Sequence, residues 1–357
     1  MKLTADQSKL SDALSWVALA LPTRTPYPAL MGIHLRAYGD TLTLTGYDDL
    51  GAHRCQLGAE VTEPGTALIP GALLRDLVKA LGPGSVDLAA SPLGVELETA
   101  AAHYRLGVLS IDDYPPVPEV PDTVGYVHRA GDLSDMLSAI APAVDDTPQT
   151  ARGGVHIEAA YGHLSLAGVS PSLVIFRAIE WAGDEFSERI SPGLFADAVR
   201  GFEPGAELTI GCSHGLLSLA DETRTAVMRL YNPAKMEWRK LLRGEVDPNT
   251  ADVSATELAA ALRRAAVLNP GVVQLSADGP FLTLKGEGVM EILDAECDGE
   301  LLASLNPAFL ADAIHAVRGP SGVVRMGTLA EVRKPVIVRS ADPGIHGAAV
   351  IAPMREN

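Results

Sequence analysis

The chain has 357 residues, 47% apolar and 20% charged, enough for two or three domains each with its own core. Its net charge of −17 disfavours a general nucleic-acid binder but leaves room for a locally basic groove or ring lining, so the placement of its 28 Lys and Arg outweighs their sum. No stretch reaches the roughly 18–20 unbroken apolar residues of a membrane span, and the polar N-terminus lacks a signal-peptide core. Cys55, Cys212 and Cys297 are isolated and odd in number, which fits buried free thiols in a reducing cytosol rather than a disulfide or zinc framework.

Leu10, Ala13, Leu14, Val17 and Leu21 recur at helical spacing, with Thr4 or Asp6 as N-cap. Residues 32–48 then alternate with period two about Gly39-Asp40, the pattern of a hairpin. A second helix follows in LLRDLVKAL (73–81), and strands return over 85–99. Past the Pro-rich segment 114–122 the order repeats: Leu133, Met136, Leu137, Ile140 and Val144 behind the cap Asp132, a hairpin over 154–168 turning near Tyr161-Gly162, the helix LFADAVRGF (194–202), and strands over 206–222. Past the polar segment 241–252 it repeats again. Ser254 and Glu257 are spaced as a capping box before Leu258, Leu262, Ala265 and Ala266. A hairpin over 272–288 turns at Asp278-Gly279, and FLADAIHAV (309–317) precedes strands over 322–340.

Asp76, Asp197 and Asp312 hold one position in the three second helices, about a third of the chain apart. Self-similarity at a domain-sized period means one unit built three times. The expectation is an α+β chain of three repeated domains, 1–121, 122–246 and 247–357, each with two helices packed on antiparallel sheets. Sheet edges can pair with the next unit, and two such arcs joined head to tail can close a ring.

Several segments carry a resemblance over the whole chain: ALPTRTPYPALMGIHL (20–35), LTLTGYD (42–48), LIPGALLRDLVKAL (68–81), DDYPPVP (112–118), WRKLL (238–242), EILD (291–294) and APMRE (352–356). In this order they resemble the bacterial DNA polymerase III beta subunit, the sliding clamp. That resemblance implies three DNA-clamp domains per chain and a head-to-tail homodimer ring around double-stranded DNA, without sequence preference. It implies a processivity factor in the cytoplasm, with no catalytic residue, metal or cofactor. It further implies a peptide-binding groove for the polymerase III alpha subunit, the clamp loader and other clamp-binding peptides, and no membrane. Tethering of this kind acts through effective concentration.

Channel-facing cations are expected on the repeated helices: Arg75, Lys79, Arg200, Arg263, Arg264 and Arg318, with His315 beside the last. Their alternative is a solvated helix face. The resemblance adds Arg24, in the loop after the first helix; Gln149 lies in a polar loop of the second unit. The family's groove maps onto Arg152, Val169, Pro171, Ser172, Leu173, Val174, Lys240, Leu241, Val350, Ala352, Pro353, Met354 and Arg355. This chain departs from the family's usual residues there. Val169 and Leu173 replace a threonine and an arginine, Lys240 stands where arginine is usual, Ala352 opens the tail, and Arg152 lies near a usual apolar wall position. Those changes favour an alternative: a variant or accessory clamp with a remodelled groove, a changed partner set, or resistance to a groove-binding inhibitor. The dimer contact is expected at Tyr104 and Leu106, with Glu287, Glu291 and Glu296 as acidic partners for Arg105 or Lys79.

Gly211-Cys212-Ser213-His214-Gly215 matches a hydrolase elbow, but strands on both sides make it a hairpin turn. The nine histidines show no metal-ligand spacing, and no phosphate-binding glycine loop occurs. A protein-only interaction ring stays open as a second reading and an enzyme as a third; an active-site pocket with strongly shifted groups would mark the latter.

Overall fold

The computed structural model of the chain describes residues 1–91, 93–231, 236–242, 246–268, 271–329 and 335–354. Helices α1 (Gln7–Val17), α2 (Gly71–Ala80), α3 (Ala130–Ile140), α4 (Pro192–Arg200), α5 (Ala255–Leu268) and α6 (Pro307–Val317) lie where the periodicity predicts them. Asp6 rather than Thr4 caps α1, its carboxylate accepting from Lys9 N at 3.0 Å. Ser254 Oγ accepts from Glu257 N at 3.3 Å, the cap side of the expected box. Asn306 caps α6 just ahead of Pro307, where a missing N–H costs nothing.

Two compact units form: Met1–Gly131 with Gly193–Leu230, and Asp132–Pro192 with Tyr231–Asn357. The middle third of the sequence is thus shared between them. The first unit holds a five-stranded sheet in the order 60–63, 2–6, 85–91, 94–98, 103–106. It also holds an eight-stranded sheet in the order 123–127, 208–213, 216–220, 224–229, 51–58, 41–47, 32–38, 65–70. The second unit carries a twelve-stranded sheet, in the order 186–190, 155–160, 163–169, 173–180, 346–351, 336–340, 323–329, 246–254, 289–298, 281–286, 273–278, 301–305. The predicted hairpin turns occur, with Gly39, Gly162 and Gly279 all at positive φ.

In each unit one strand pair joins two repeats. Strand 51–58 of the first repeat pairs with 224–229 of the second, and strand 173–180 of the second pairs with 346–351 of the third. The hairpin registers make the two junctions equivalent: Leu44 lies opposite Cys55, Leu166 opposite Arg177, and Leu284 opposite Glu291. Across the junctions Cys55 faces Arg224, and Arg177 faces Gly347.

The cores follow the alternation of the strands. Leu10, Ala13, Leu14 and Val17 of α1 are at most 2% exposed, as are Leu258, Ala261, Leu262 and Ala265 of α5. A smaller cluster in the first unit joins Leu30, Tyr47 and Ala52. Tyr114 and Val117, from the Pro-rich segment, pack over it, and the Tyr114 hydroxyl donates to Thr45 O at 3.5 Å. Of the cysteines only Cys55 is buried; Cys212 and Cys297, each next to the last residue of its strand, are partly exposed. The Gly211–Gly215 segment is a hairpin turn, with His214 and Gly215 at positive φ between strands 208–213 and 216–220.

Candidate functional site

In the second unit a row of cross-strand neighbours builds an apolar floor. Val169 lies opposite Val174, Val174 opposite Val350, and Val350 opposite Ile337. Such neighbours share one sheet face, about 5 Å apart. With Ala167, Ala348 and Trp238 they form a buried cluster, against which Phe176, Met236 and Leu242 pack. The loop between the first two strands is closed by Ser170, whose N and Oγ both donate to Leu173 O, at 2.9 and 3.0 Å.

The expected groove residues gather around this floor unequally. Val169, Val174 and Val350 belong to it. Leu173 is 1% exposed and pairs with Ile351, so strand alternation turns it to the opposite face. Pro171 is exposed and Ser172 half-buried; Ser172 O accepts from Ala352 N at 2.9 Å. Pro353 is half-buried, and Met354, exposed, donates its N–H to Ser304 O at 2.8 Å. The tail therefore bridges the 170–173 loop and the edge strand 301–305. Arg355 lies outside the described residues. Lys240 is exposed and pairs with Glu237, and Leu241 is exposed.

Arg152 stands on the 145–154 loop, half-buried, its Nε 3.9 Å from the Asp145 carboxylate. Buried Arg189 fastens that loop: its Nη1 donates to Thr150 O and Gly153 O, each at 2.7 Å, and its guanidinium lies 5.7 Å from the Tyr231 ring. Burial lowers the Arg189 pKa, and it lowers that of His156, whose ring meets Arg152 O at 3.0 Å. Trp238, Ile337, Phe176 and Arg189 were not assigned from the sequence; Trp238 stood in the quoted WRKLL run.

The expected DNA-facing cations divide by their partners. Arg75 is bound to Asp76 at 2.8 Å and Arg200 to Asp197 at 3.0 Å. Hydrogen bonding from Arg75 holds the Asp76 carboxyl below the usual range. Arg264 grips Glu291 with both Nε and Nη2, the former at 2.9 Å, and so lowers the Glu291 pKa. Arg263 turns its Nε to Ala259 O at 3.3 Å. Lys79, Arg318, His315 and Gln149 are exposed, and Arg24 lies exposed in the bend after α1. Among the described residues Arg24, Arg263 and Arg318 make no ion pair. A cation already paired to a carboxylate of its own chain attracts a phosphate more weakly than an unpaired one.

Strand 103–106 is the edge of the five-stranded sheet, with Leu106 buried opposite Val95 and Tyr104 half-buried opposite Leu97. Arg105 is held by Glu96 at 2.6 Å, and Glu291 by Arg264, so these two expected contact charges meet partners within the chain. Glu287 is exposed. Glu296 lines a cavity of about 430 Å³ with Asp252 and Asp294. Among the described residues no group of three or more His, Cys, Asp or Glu is placed to hold a metal ion, and no helix is long and apolar enough to cross a membrane.

Residues 1–118 match the family model of the DNA polymerase III beta subunit, N-terminal domain. The beta sliding clamp of Streptomyces coelicolor is 26% identical over 338 residues, covering 90% of this chain and 89% of that protein. The crystal structure of the DNA polymerase III subunit beta from Pseudomonas aeruginosa superposes with a TM-score of 0.88 at 20% identity, over 100% of both chains. A sliding clamp of the same organism bound to griselimycin superposes with a TM-score of 0.87 at 19% identity, again over 100% of both.

Proposed function

We propose that this chain, which belongs to the DNA polymerase III beta-subunit family, works as a sliding clamp: two copies close head to tail around duplex DNA and tether a polymerase and its loader. The observation that carries this reading is the repeated junction. Within the chain, strand 51–58 meets 224–229, and strand 173–180 meets 346–351, at equivalent registers. One strand of each kind is left over. Among the described residues, 103–106 pairs on one side only, with Gly94–Glu98, and 289–294 pairs on one side only, with 281–286. A second copy supplies the missing neighbour at both ends, and the heterologous contact closes if its rotation matches the two internal ones. At that register Tyr104 faces Val289 of the second copy.

The partition into domains 1–121, 122–246 and 247–357 suits this reading, because each boundary falls between one complete repeat and the next. Partner peptides lie on the Val169–Val174–Val350–Ile337 floor, whose apolar row suits apolar side chains and beside which the 236–242 turn offers the exposed Lys240. The role is mechanical, without catalysis, and its place is the cytoplasm, where the replisome works. The remodelled-groove alternative keeps only the substitutions that prompted it.

Loading onto nicked circular DNA tests the reading. A topological ring stays on the circle at moderate salt and slides off once the DNA is cut; equal release from both forms would defeat it. Tyr104→Cys combined with Val289→Cys is expected to give a covalent dimer on a non-reducing gel, because cross-strand neighbours meet disulfide geometry. Monomer alone would overturn the proposed register.

A further inference from the structure

The turn that carries Trp238 enters the groove from outside the sheet. It comprises residues 236–242, and its backbone hydrogen bonds are local: Trp238 N donates to Met236 O at 2.8 Å and Lys240 N to Glu237 O at 2.9 Å. Its remaining ion pair, Lys240 with Glu237, is internal. Among the described residues, one side chain ties the turn to the sheet by polar bonds, and that is Arg239. Its Nε donates to Glu158 Oε1 at 2.6 Å and its Nη2 to Ser165 Oγ at 2.9 Å. Glu158 and Ser165 are direct cross-strand neighbours, so a single guanidinium spans the pair. Ser165 is fully buried, and Arg239 satisfies it.

The same guanidinium lies 4.6 Å from the Trp238 ring, whose other neighbour, Phe176, is 5.3 Å away. Trp238 is thereby held between a cation and an aromatic ring and is 2% exposed. Tyr161, from the intervening hairpin turn, stands 5.9 Å from the guanidinium. Among the described residues, no other side chain makes a directed polar bond from the sheet to this turn.

We propose that Arg239 is the positioning residue of the groove: anchored by Glu158 and Ser165, it sets the depth of Trp238 and so the shape of the floor that partner peptides meet. This rests on the groove reading above. Arg239 touches no partner; it acts through Trp238.

The probe is griselimycin, the ligand held by a neighbouring clamp structure. Its affinity for the full-length chain, for Arg239→Met and for Glu158→Gln is measured by calorimetry, alongside the melting temperature and Trp emission. Arg239→Met is expected to weaken binding about tenfold and to shift Trp emission. Glu158→Gln, which keeps the volume and loses the charge, is expected to weaken binding severalfold at a nearly unchanged melting temperature, while Lys240→Met, one residue on, leaves emission unchanged. A strut with a merely structural role lowers the melting temperature of both variants and leaves affinity in place; that result overturns the positioning role. A wild-type chain that ignores griselimycin fits the remodelled, inhibitor-resistant groove and overturns this inference, because the floor set by Arg239 is then not one that this ligand meets. A wild type that binds, with Arg239→Met binding equally, defeats this inference alone.

Discussion

The two internal junctions solve one problem with opposite residues. In the first unit Arg224, from the later repeat, donates to Gly201 O and pairs with Asp12 at 2.9 Å. In the second unit Arg177, from the earlier repeat, donates to Ala316 O at 2.8 Å, in the field of Asp135. The targets are equivalent: Gly201 ends FADAVRG and Ala316 ends LADAIHA, while Asp12 and Asp135 occupy one position of LSDAL and LSDML. Each arginine faces a small cross-strand residue, Cys55 or Gly347. The guanidinium is kept in place while the strand that supplies it changes, because a backbone carbonyl at a helix end accepts from either side. Size is exchanged as well. Trp16 lies so close to Gly201 that an added Cβ would sit 1.5 Å from its indole nitrogen, whereas the second junction has Ala139 and Ala316 at those positions. In the third repeat the charges are reversed: Glu291 stands at the sheet position and Arg264 at that of Trp16.

The largest effect that can break this comparison is steric. Gly201→Ala should cost about 3 kcal/mol in urea unfolding, and Ala316→Gly about 1 kcal/mol. Equal costs would show that the two helix ends are not differently packed. Arg224→Met comes next, at about 2 kcal/mol, since it leaves the Gly201 carbonyl without its donor. Arg177→Met should cost about the same through Ala316. Exchanging the strand of origin sharpens the point: Cys55→Arg with Arg224→Gly should regain at least half of what Arg224→Gly loses. No recovery would mean that the junctions share register alone.

A pH dependence is expected as well. His53 stacks on Trp16 at 4.7 Å, its Nδ1 3.2 Å from Trp16 O, and burial lowers its pKa. The unfolded chain then binds a proton near pH 6.5 that the folded chain refuses. Stability is therefore complete above about pH 6.5 and falls as the solution is acidified toward pH 5, by at most about 1.4 kcal/mol per pH unit. His53→Gln should flatten that slope; an unchanged slope assigns it to His156 or His34, whose pKa values burial also lowers.

Repeats, helices and hairpin turns were legible in the sequence because they rest on local periods and on glycine. Val169, Val174 and Val350 were reached through the family resemblance, and they do lie together in one buried cluster. Trp238 and Ile337 come to that face from distant segments, and nothing local marks their destination. Arg177, Arg189 and Arg224 went unassigned in the sequence, because each spends hydrogen bonds on main-chain carbonyls, a partner with no sequence signature. Leu173 shows the converse: the substitution was visible, but one step of strand alternation sends its side chain away from the floor.

The Pro-rich segment has a bearing on stoichiometry. Tyr47 and Ala52 hold the places in the first repeat that Val169 and Val174 hold in the second, and the chain's own Tyr114 and Val117 already occupy that spot. On the proposed function, the first of these two places is filled from within each subunit, which leaves partner peptides only the Val169–Val174 side and makes the clients of a closed pair share it.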